Sequence, residues 1–384
     1  MIKMFTARTS EVDDINAAVN EIQSRLDLSA LKKHSGGIIF CHLDYMDSGV
    51  AAAICEALPF EIIGMTTMAS ADDSGYGLFD LTLAVLTSDE VTFPAGITGD
   101  INADNFCTEV EQLYKNILSK TKEEPSLLIT FMPYLSTVSG DQMLEAMNTI
   151  CNGVPMWGSI SNNTDFSYCN VRTLYNSEIR PAGVAMMALS GKIDPKFIIS
   201  SIPQSGIGDR RAVITKSDGA VLYEVNDVPI LQYLEKMGLI ITEESLSTTP
   251  LMVYYENASE PVSLGFYTLF DDGSVLLGGK VPEGTSFAVG SIDPQILLKS
   301  ADYGLEQILK HSDRGATLIL PCVTRYIMLS PNQQDELRMI GEKLNESGLP
   351  YIMGYSGGEI SPITGKDGKL HNRFHNYTFC AVVL

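Results

Sequence analysis

The sequence predicts an α/β protein of layered mixed sheets covered by helices, in two domains, with a strand–helix–strand unit repeated three times. Three observations carry that prediction. Short apolar runs flank helix-like stretches: "GGIIF" (Gly36–Phe40) leads to "EIIGMTT" (Glu61–Thr67), "SLLITF" (Ser126–Phe131) to "PMWGSIS" (Pro155–Ser161), and "ATLIL" (Ala316–Leu320) to "YIMGYSGGE" (Tyr351–Glu359). A glycine breaks the second run each time, at Gly64, Gly158 and Gly354. A further apolar run follows each unit, at Leu81–Asp89, Ala182–Ser190 and Tyr377–Leu384.

The paired runs are short and apolar throughout, which suits strands buried on both faces. A strand, a helix and a strand in that order imply a parallel pair. In the second unit Ser139 and Gln142 form a capping box ahead of Leu144 and Met147. In the third, Ser330 is the expected N-cap, with Pro331 in the first turn and Gln333 completing the box. Leu337, Ile340 and Leu344 then share one helix face. The trailing runs at Leu81 and Tyr377 follow polar loops, so they are expected to return as hairpins.

The texture changes between the second and third units. Arg211–Gly238 reads as two strands around "KSDG" and then a helix. Ser263–Gly290 reads as strands punctuated by "DDGS" and "PEGT". A helix is expected over Pro294–His311. The stretch "SIPQSGIG" suits a boundary near residues 195–205, dividing the chain into domains 1–200 and 201–384.

The chain has 384 residues, 26 of them basic and 47 acidic, for a net charge of −21. Phosphate binding needs clustered Lys and Arg, so nucleic acid and anionic membrane are not expected partners. No run reaches the roughly 20 apolar residues of a membrane helix, and the apolar patch at the start is too short for a signal peptide. The seven cysteines, Cys41, Cys55, Cys107, Cys151, Cys169, Cys322 and Cys380, are scattered and odd in number. This argues against a disulfide framework or a structural zinc site and for a reducing cytoplasm.

"LPCVTR" (Leu320–Arg325), "GYSGGEISP" (Gly354–Pro362) and "HNRFHNYTF" (His371–Phe379) resemble successive signatures of a FIST C-terminal domain. The name stands for F-box and intracellular signal transduction. "AVITKSDGAVLYEVNDVPILQYL" and "GGKVPEGTSFAVGSID" resemble the opening of the same domain. "IIGMTTMAS" and "MWGSISNNTDF" resemble the N-terminal FIST domain that precedes it. The resemblance implies a cytoplasmic sensory module of signal transduction that binds a small ligand such as an amino acid. Neither an F-box nor an output domain is seen, so a separate signalling protein is the expected partner. Some bacterial members are similar to haem-based gas sensors. No cofactor is expected here, with noncovalent haem as the alternative; His34, His42, His311, His371 and His375 lie in no C-x-x-C-H motif.

In a parallel arrangement the loops after Leu320 and Gly354 leave the same sheet end, where ligands of open α/β sheets collect. The expected ligand-binding residues are Cys322, Arg325, Tyr355, Gly357, Gly358, Glu359, His375 and Asn376. Arg325 can grip a carboxylate with two hydrogen bonds, and Glu359 can face an ammonium. The alternative is that these two simply pair with each other. Gly357 and Gly358 would let backbone approach the ligand. Tyr355 would wall the site, and His375 and Asn376 would complete the rim or serve as turn residues. The strand is expected to end at Pro321, so that Cys322 opens a loop. A second function class is a Cys-dependent hydrolase or transferase with Cys322 as nucleophile, His375 as base and Glu359 as orienter. Against it, Cys322 also reads as a buried structural cysteine.

Overall fold

The protein is described from a computed structural model, for residues 2–135, 138–164, 170–256 and 258–384. The first unit contains β1 (Lys3–Thr9), α1 (Ile15–Arg25), β2 (His34–Cys41), α2 (Leu43–Asp47), α3 (Val50–Glu56), β3 (Glu61–Thr66), β4 (Ser70–Asp72), β5 (Gly75–Gly77) and β6 (Leu81–Ser88). The second contains β7 (Ala95–Ile97), α4 (Phe106–Ser119), β8 (Pro125–Met132), α5 (Gly140–Ile150), β9 (Met156–Ile160), β10 (Thr173–Tyr175), β11 (Glu178–Arg180) and β12 (Ala185–Ser190). After β13 (Lys196–Ser200) comes an outer sheet, β14 (Ile207–Asp218), β15 (Val221–Val225), β16 (Val228–Pro229), β17 (Leu251–Tyr254), β18 (Val262–Leu264), β19 (Phe266–Leu269), β20 (Val275–Leu277) and β21 (Ser286–Gly290), with α6 (Ile230–Lys236) packed on it. The third unit contains α7 (Pro294–Leu309), β22 (Thr317–Pro321), α8 (Val323–Met328), α9 (Asp335–Ser347), β23 (Tyr351–Gly354), β24 (Glu359–Thr364), β25 (Leu370–His375) and β26 (Phe379–Val383). The expected boundary at residues 200 and 201 falls just after β13.

Each unit builds the same sheet. The parallel pairs are β2–β3, β8–β9 and β22–β23. The returning strands β6, β12 and β26 lie antiparallel on the first strand of each pair, and β1, β7 and β13 close that edge. The other edge is exchanged between units. Hairpin β4–β5 of the first unit pairs with β23 of the third, β10–β11 of the second with β3 of the first, and β24–β25 of the third with β9 of the second. The three sheets therefore interlock in a closed cycle.

Strand periodicity explains the layering. On β8, Leu127, Ile129 and Phe131 face a core shared by all three sheets, while Leu128 and Met132 face α4 and α5. Ile38 and Phe40 of β2, and Leu318 and Leu320 of β22, join the shared core; Ile39 and Ile319 turn outward to the helices. Both faces are covered, which is why these strands read as unbroken apolar runs.

The recurring glycine marks the exchange joint. Gly64, Gly158 and Gly354 sit where the borrowed hairpin pairs, opposite Leu174, Ile360 and Ser70 respectively. A Cβ on Gly158 would lie 1.9 Å from the Thr130 carbonyl oxygen, and one on Gly354 2.8 Å from the Phe40 ring. Gly354→Ala is expected to cost about 1–3 kcal/mol through overpacking, read from urea unfolding midpoints. Unchanged stability would mean that the Phe40 ring moves aside freely.

Two local expectations are corrected. The segment after Pro321 is not an open loop: Cys322 is the N-cap of α8, and Val323 and Tyr326 bury one side of that short helix. The long helix of the third unit starts at Asp335 with Gln334 as N-cap, so Ser330 and Gln333 do not cap it. The Ser139–Gln142 capping box forms as expected, with both of its hydrogen bonds present.

Candidate functional site

Arg325 does not face a ligand. Its side chain and that of Glu336 are both 0% exposed. Nε and Nη2 donate to Glu336 Oε1 at 2.9 and 2.6 Å, Nη1 to Ser300 Oγ and the Tyr377 carbonyl at 2.8 and 3.1 Å, and Nη2 to the Leu297 carbonyl at 2.8 Å. A guanidinium has five N–H donors, and all five are spent. The ion pair is thus with Glu336, rather than with Glu359 or a ligand carboxylate. Tyr355 belongs to the same interior: its hydroxyl donates to Glu336 Oε2 at 3.2 Å, and its ring packs edge-on against Tyr326.

Glu359 is fully buried at the start of β24. Its Oε2 accepts from the Thr378 amide at 3.2 Å and hydroxyl at 2.7 Å, and the Ser356 hydroxyl and Cys322 thiol also act on the carboxyl. Burial pushes this carboxyl up to about 8, against the Thr378 hydrogen bonds that pull it down. A proton on the acid removes the buried charge, which is the form this enclosure suits.

Cys322 and His375 are likewise buried. Burial, together with the nearby Glu359 charge, pushes the Cys322 thiol well above its ordinary range. Burial pulls His375 down to about 4, and its Nε2 meets the Ser361 carbonyl at 3.1 Å. A carbonyl only accepts, so Nε2 carries the proton and spends it there. Glu359 and His375 are register partners across β24 and β25, yet no hydrogen bond joins Cys322 to His375 among the described residues. A nucleophilic cysteine needs a neighbouring base or cation and access to solvent. This one has a buried acid beside it and no opening, so the arrangement does not activate the thiol.

The enclosed space lies next to these residues. A cavity of about 110 Å³ is lined by Tyr134, Leu135, Val138, Ser139, Gly140, Gln142, Ile160, Tyr267, Leu276, Leu277, Gly278, Gly357 and Phe374. It opens beyond the carboxyl ends of β8 and β9, at the N-terminus of α5. Of the eight expected residues only Gly357 lines it. Gly358 lies behind Phe374, whose ring comes within 2.2 Å of where a Gly358 Cβ would be. Asn376 lies behind Gly278 and Tyr267: its Oδ1 accepts from the Gly265 amide at 3.2 Å, and its Nδ2 donates to the Tyr267 hydroxyl at 3.0 Å. Tyr134, Val138 and Tyr267 were not anticipated. The capping box at Ser139 placed a helix start after β8, but it was read only as a cap and not as a sign of a site.

Phe374 also borders a larger open cleft of about 1,200 Å³, between α5, β25 and the outer sheet. Its walls are charged. Lys280 pairs with Glu145, His371 Nε2 meets Asp367 at 2.9 Å, and the Arg373 guanidinium lies 5.3 Å from the Tyr255 ring. Asp141 accepts from the Lys280 amide at 2.9 Å, and burial raises its carboxyl. Haem needs an apolar slot and an axial ligand. The cavity is far smaller than a porphyrin, and the histidine of the cleft, His371, is tied to Asp367. Cys169 and the end of "MWGSISNNTDF" lie outside the described residues, as do Ser136, Thr137 and Asn257.

Residues 36–228 match the FIST N domain, and residues 232–362 match the FIST C domain. No curated protein matches the chain. Among solved structures, the chain is similar at a TM-score of 0.37 and 8% identity to one described as "Cyanuric acid hydrolase: evolutionary innovation by structural concatenation", over 100% of this chain and 98% of that one. Among the described residues no helix is long and apolar enough to cross a membrane.

Proposed function

This chain belongs to the FIST family of signal-transduction sensory domains, and from that premise we propose that it senses a small ligand held in the cavity between Tyr134, Val138, Tyr267, Gly278 and Gly357. One observation carries the reading: the cavity is walled jointly by both matched domains, by Tyr134, Leu135, Val138–Gly140, Gln142 and Ile160 from the N domain and Tyr267, Leu276–Gly278 and Gly357 from the C domain. A ligand that touches both can favour one arrangement of the pair over another, and such differential binding is what a sensor requires. The same reading has the protein act in the cytoplasm through a separate partner protein. Its support is that the six cysteines among the described residues are free thiols, as a reducing compartment keeps them.

An amino acid remains in the ligand panel, although Arg325 and Glu359 are spent inside the fold. The test is a thermal-shift screen of amino acids and other small metabolites on the native protein and on Val138→Phe, which fills the cavity. A true ligand at 100 times its dissociation constant adds about 2.7 kcal/mol of stability. That shift is expected to vanish in Val138→Phe. A ligand that stabilises both forms equally would place the site elsewhere.

A further inference from the structure

Thirteen of the described residues line the cavity, and none of these carries a charge. Leu135, Val138, Ile160, Leu276, Leu277 and Phe374 supply apolar wall. An ionised group moved from water into such a place loses its hydration and gains no partner. The volume of about 110 Å³ is well below the roughly 300–1,000 Å³ of drug-sized sites. It approaches the apolar cavity of about 150 Å³ that takes benzene.

The polar groups at the wall have a direction. Ser139 Oγ donates to Gln142 Oε1 at 3.2 Å and accepts from the Gln142 amide at 3.2 Å, so the capping box consumes it. Gln142 Oε1 is filled by the same box, through the Ser139 amide at 3.0 Å as well. The Tyr267 hydroxyl accepts the Asn376 amide proton at 3.0 Å, which leaves its own proton to give. No acceptor for that proton is present among the described residues. The fixed Asn376 amide, held in turn by the Gly265 amide, sets the hydroxyl's orientation. Of Ser139, Gln142 and Tyr267, the groups left over are thus donors, the Tyr267 hydroxyl proton and the Gln142 Nε2 amide.

We propose that the ligand of this cavity is a small uncharged molecule, about the size of one six-membered ring, with an acceptor such as a carbonyl that takes the Tyr267 proton. This rests on the cavity being the sensory site. It separates the ligand from zwitterionic amino acids, which would bring two charges to a wall whose described residues offer none.

A matched set of probes tests it: cyclohexanone, methylcyclohexane, cyclohexanecarboxylate, cyclohexylamine and leucine, each titrated by thermal shift. Cyclohexanone is expected to bind, methylcyclohexane about fivefold more weakly for want of one hydrogen bond, and the three charged probes not to bind. Tyr267→Phe is expected to bring cyclohexanone down to the level of methylcyclohexane, and Val138→Phe to abolish both. If Tyr267→Phe does not fold, the cyclohexanone–methylcyclohexane ratio on native protein carries the same test. Binding of leucine or the carboxylate that Val138→Phe abolishes would overturn the uncharged class while leaving the site in place. Cyclohexanone binding that survives Val138→Phe would remove the site itself. No shift with cyclohexanone near its solubility limit would overturn the proposal.

Discussion

Arg325→Ala is expected to cost about 3–5 kcal/mol of folding stability, because it leaves a buried charge without its partner. Glu336 would keep only the Tyr355 hydroxyl at 3.2 Å among the described residues, the Tyr377 carbonyl would lose its Arg325 donor, and the Leu297 carbonyl would keep only the Ser300 hydroxyl of its two side-chain donors. Those carbonyls belong to α7 and to the turn into β26, so the loss loosens the packing of α7, α8 and α9 around that strand. Urea unfolding of the native and substituted proteins measures it. Replacing both partners, as in Arg325→Met with Glu336→Leu, is expected to recover most of the loss, since apolar groups of similar volume often match a buried ion pair. A single variant that keeps its stability yet loses ligand affinity would return Arg325 to the binding site.

Glu359→Gln is expected to flatten the pH dependence of stability. In the folded chain burial holds this carboxyl near 8, against an ordinary value of 4.5. Between those values the folded chain keeps a proton that the unfolded chain has released. Stability therefore falls as pH rises through the window. The contribution is fully present below the unfolded value and gone above the folded one, a change on the order of 5 kcal/mol. Gln has nearly the same shape and does not titrate, so its stability relative to the native protein should rise steadily from about pH 5 to about pH 9. Parallel urea midpoints for the two proteins across that range would show that Glu359 ionises as readily folded as unfolded.

The three units and their parallel pairs were legible in the sequence because each rests on local chemistry, whereas the trailing strands β6 and β26, expected as hairpin returns, lie back on β2 and β22 instead. Continuous apolar runs at Gly36–Phe40, Ser126–Phe131 and Ala316–Leu320 announce strands covered on both faces. Ser139 and Gln142 announce a helix start through bonds between neighbours. The matching glycines were visible as a repeat, but their reason was not. Each makes room where a hairpin from another unit joins, and Gly354 meets Ser70 across most of the chain. The helix at Val323–Met328 escaped because six residues give little periodicity to read, and only burial against the neighbouring elements holds it. The candidate site divided in the same way. Of the residues expected at the ends of β22 and β23, Gly357 borders the proposed cavity, which lies beyond β8 and β9 instead. Which side chains turn inward depended on partners far away: Arg325 on Glu336 and Ser300, His375 on Ser361, Asn376 on Gly265 and Tyr267. A charged side chain in the sequence announces only that a partner must exist if it is buried. Tertiary packing alone decides whether that partner is another residue or a ligand, because it alone sets which donors and acceptors come within hydrogen-bond reach.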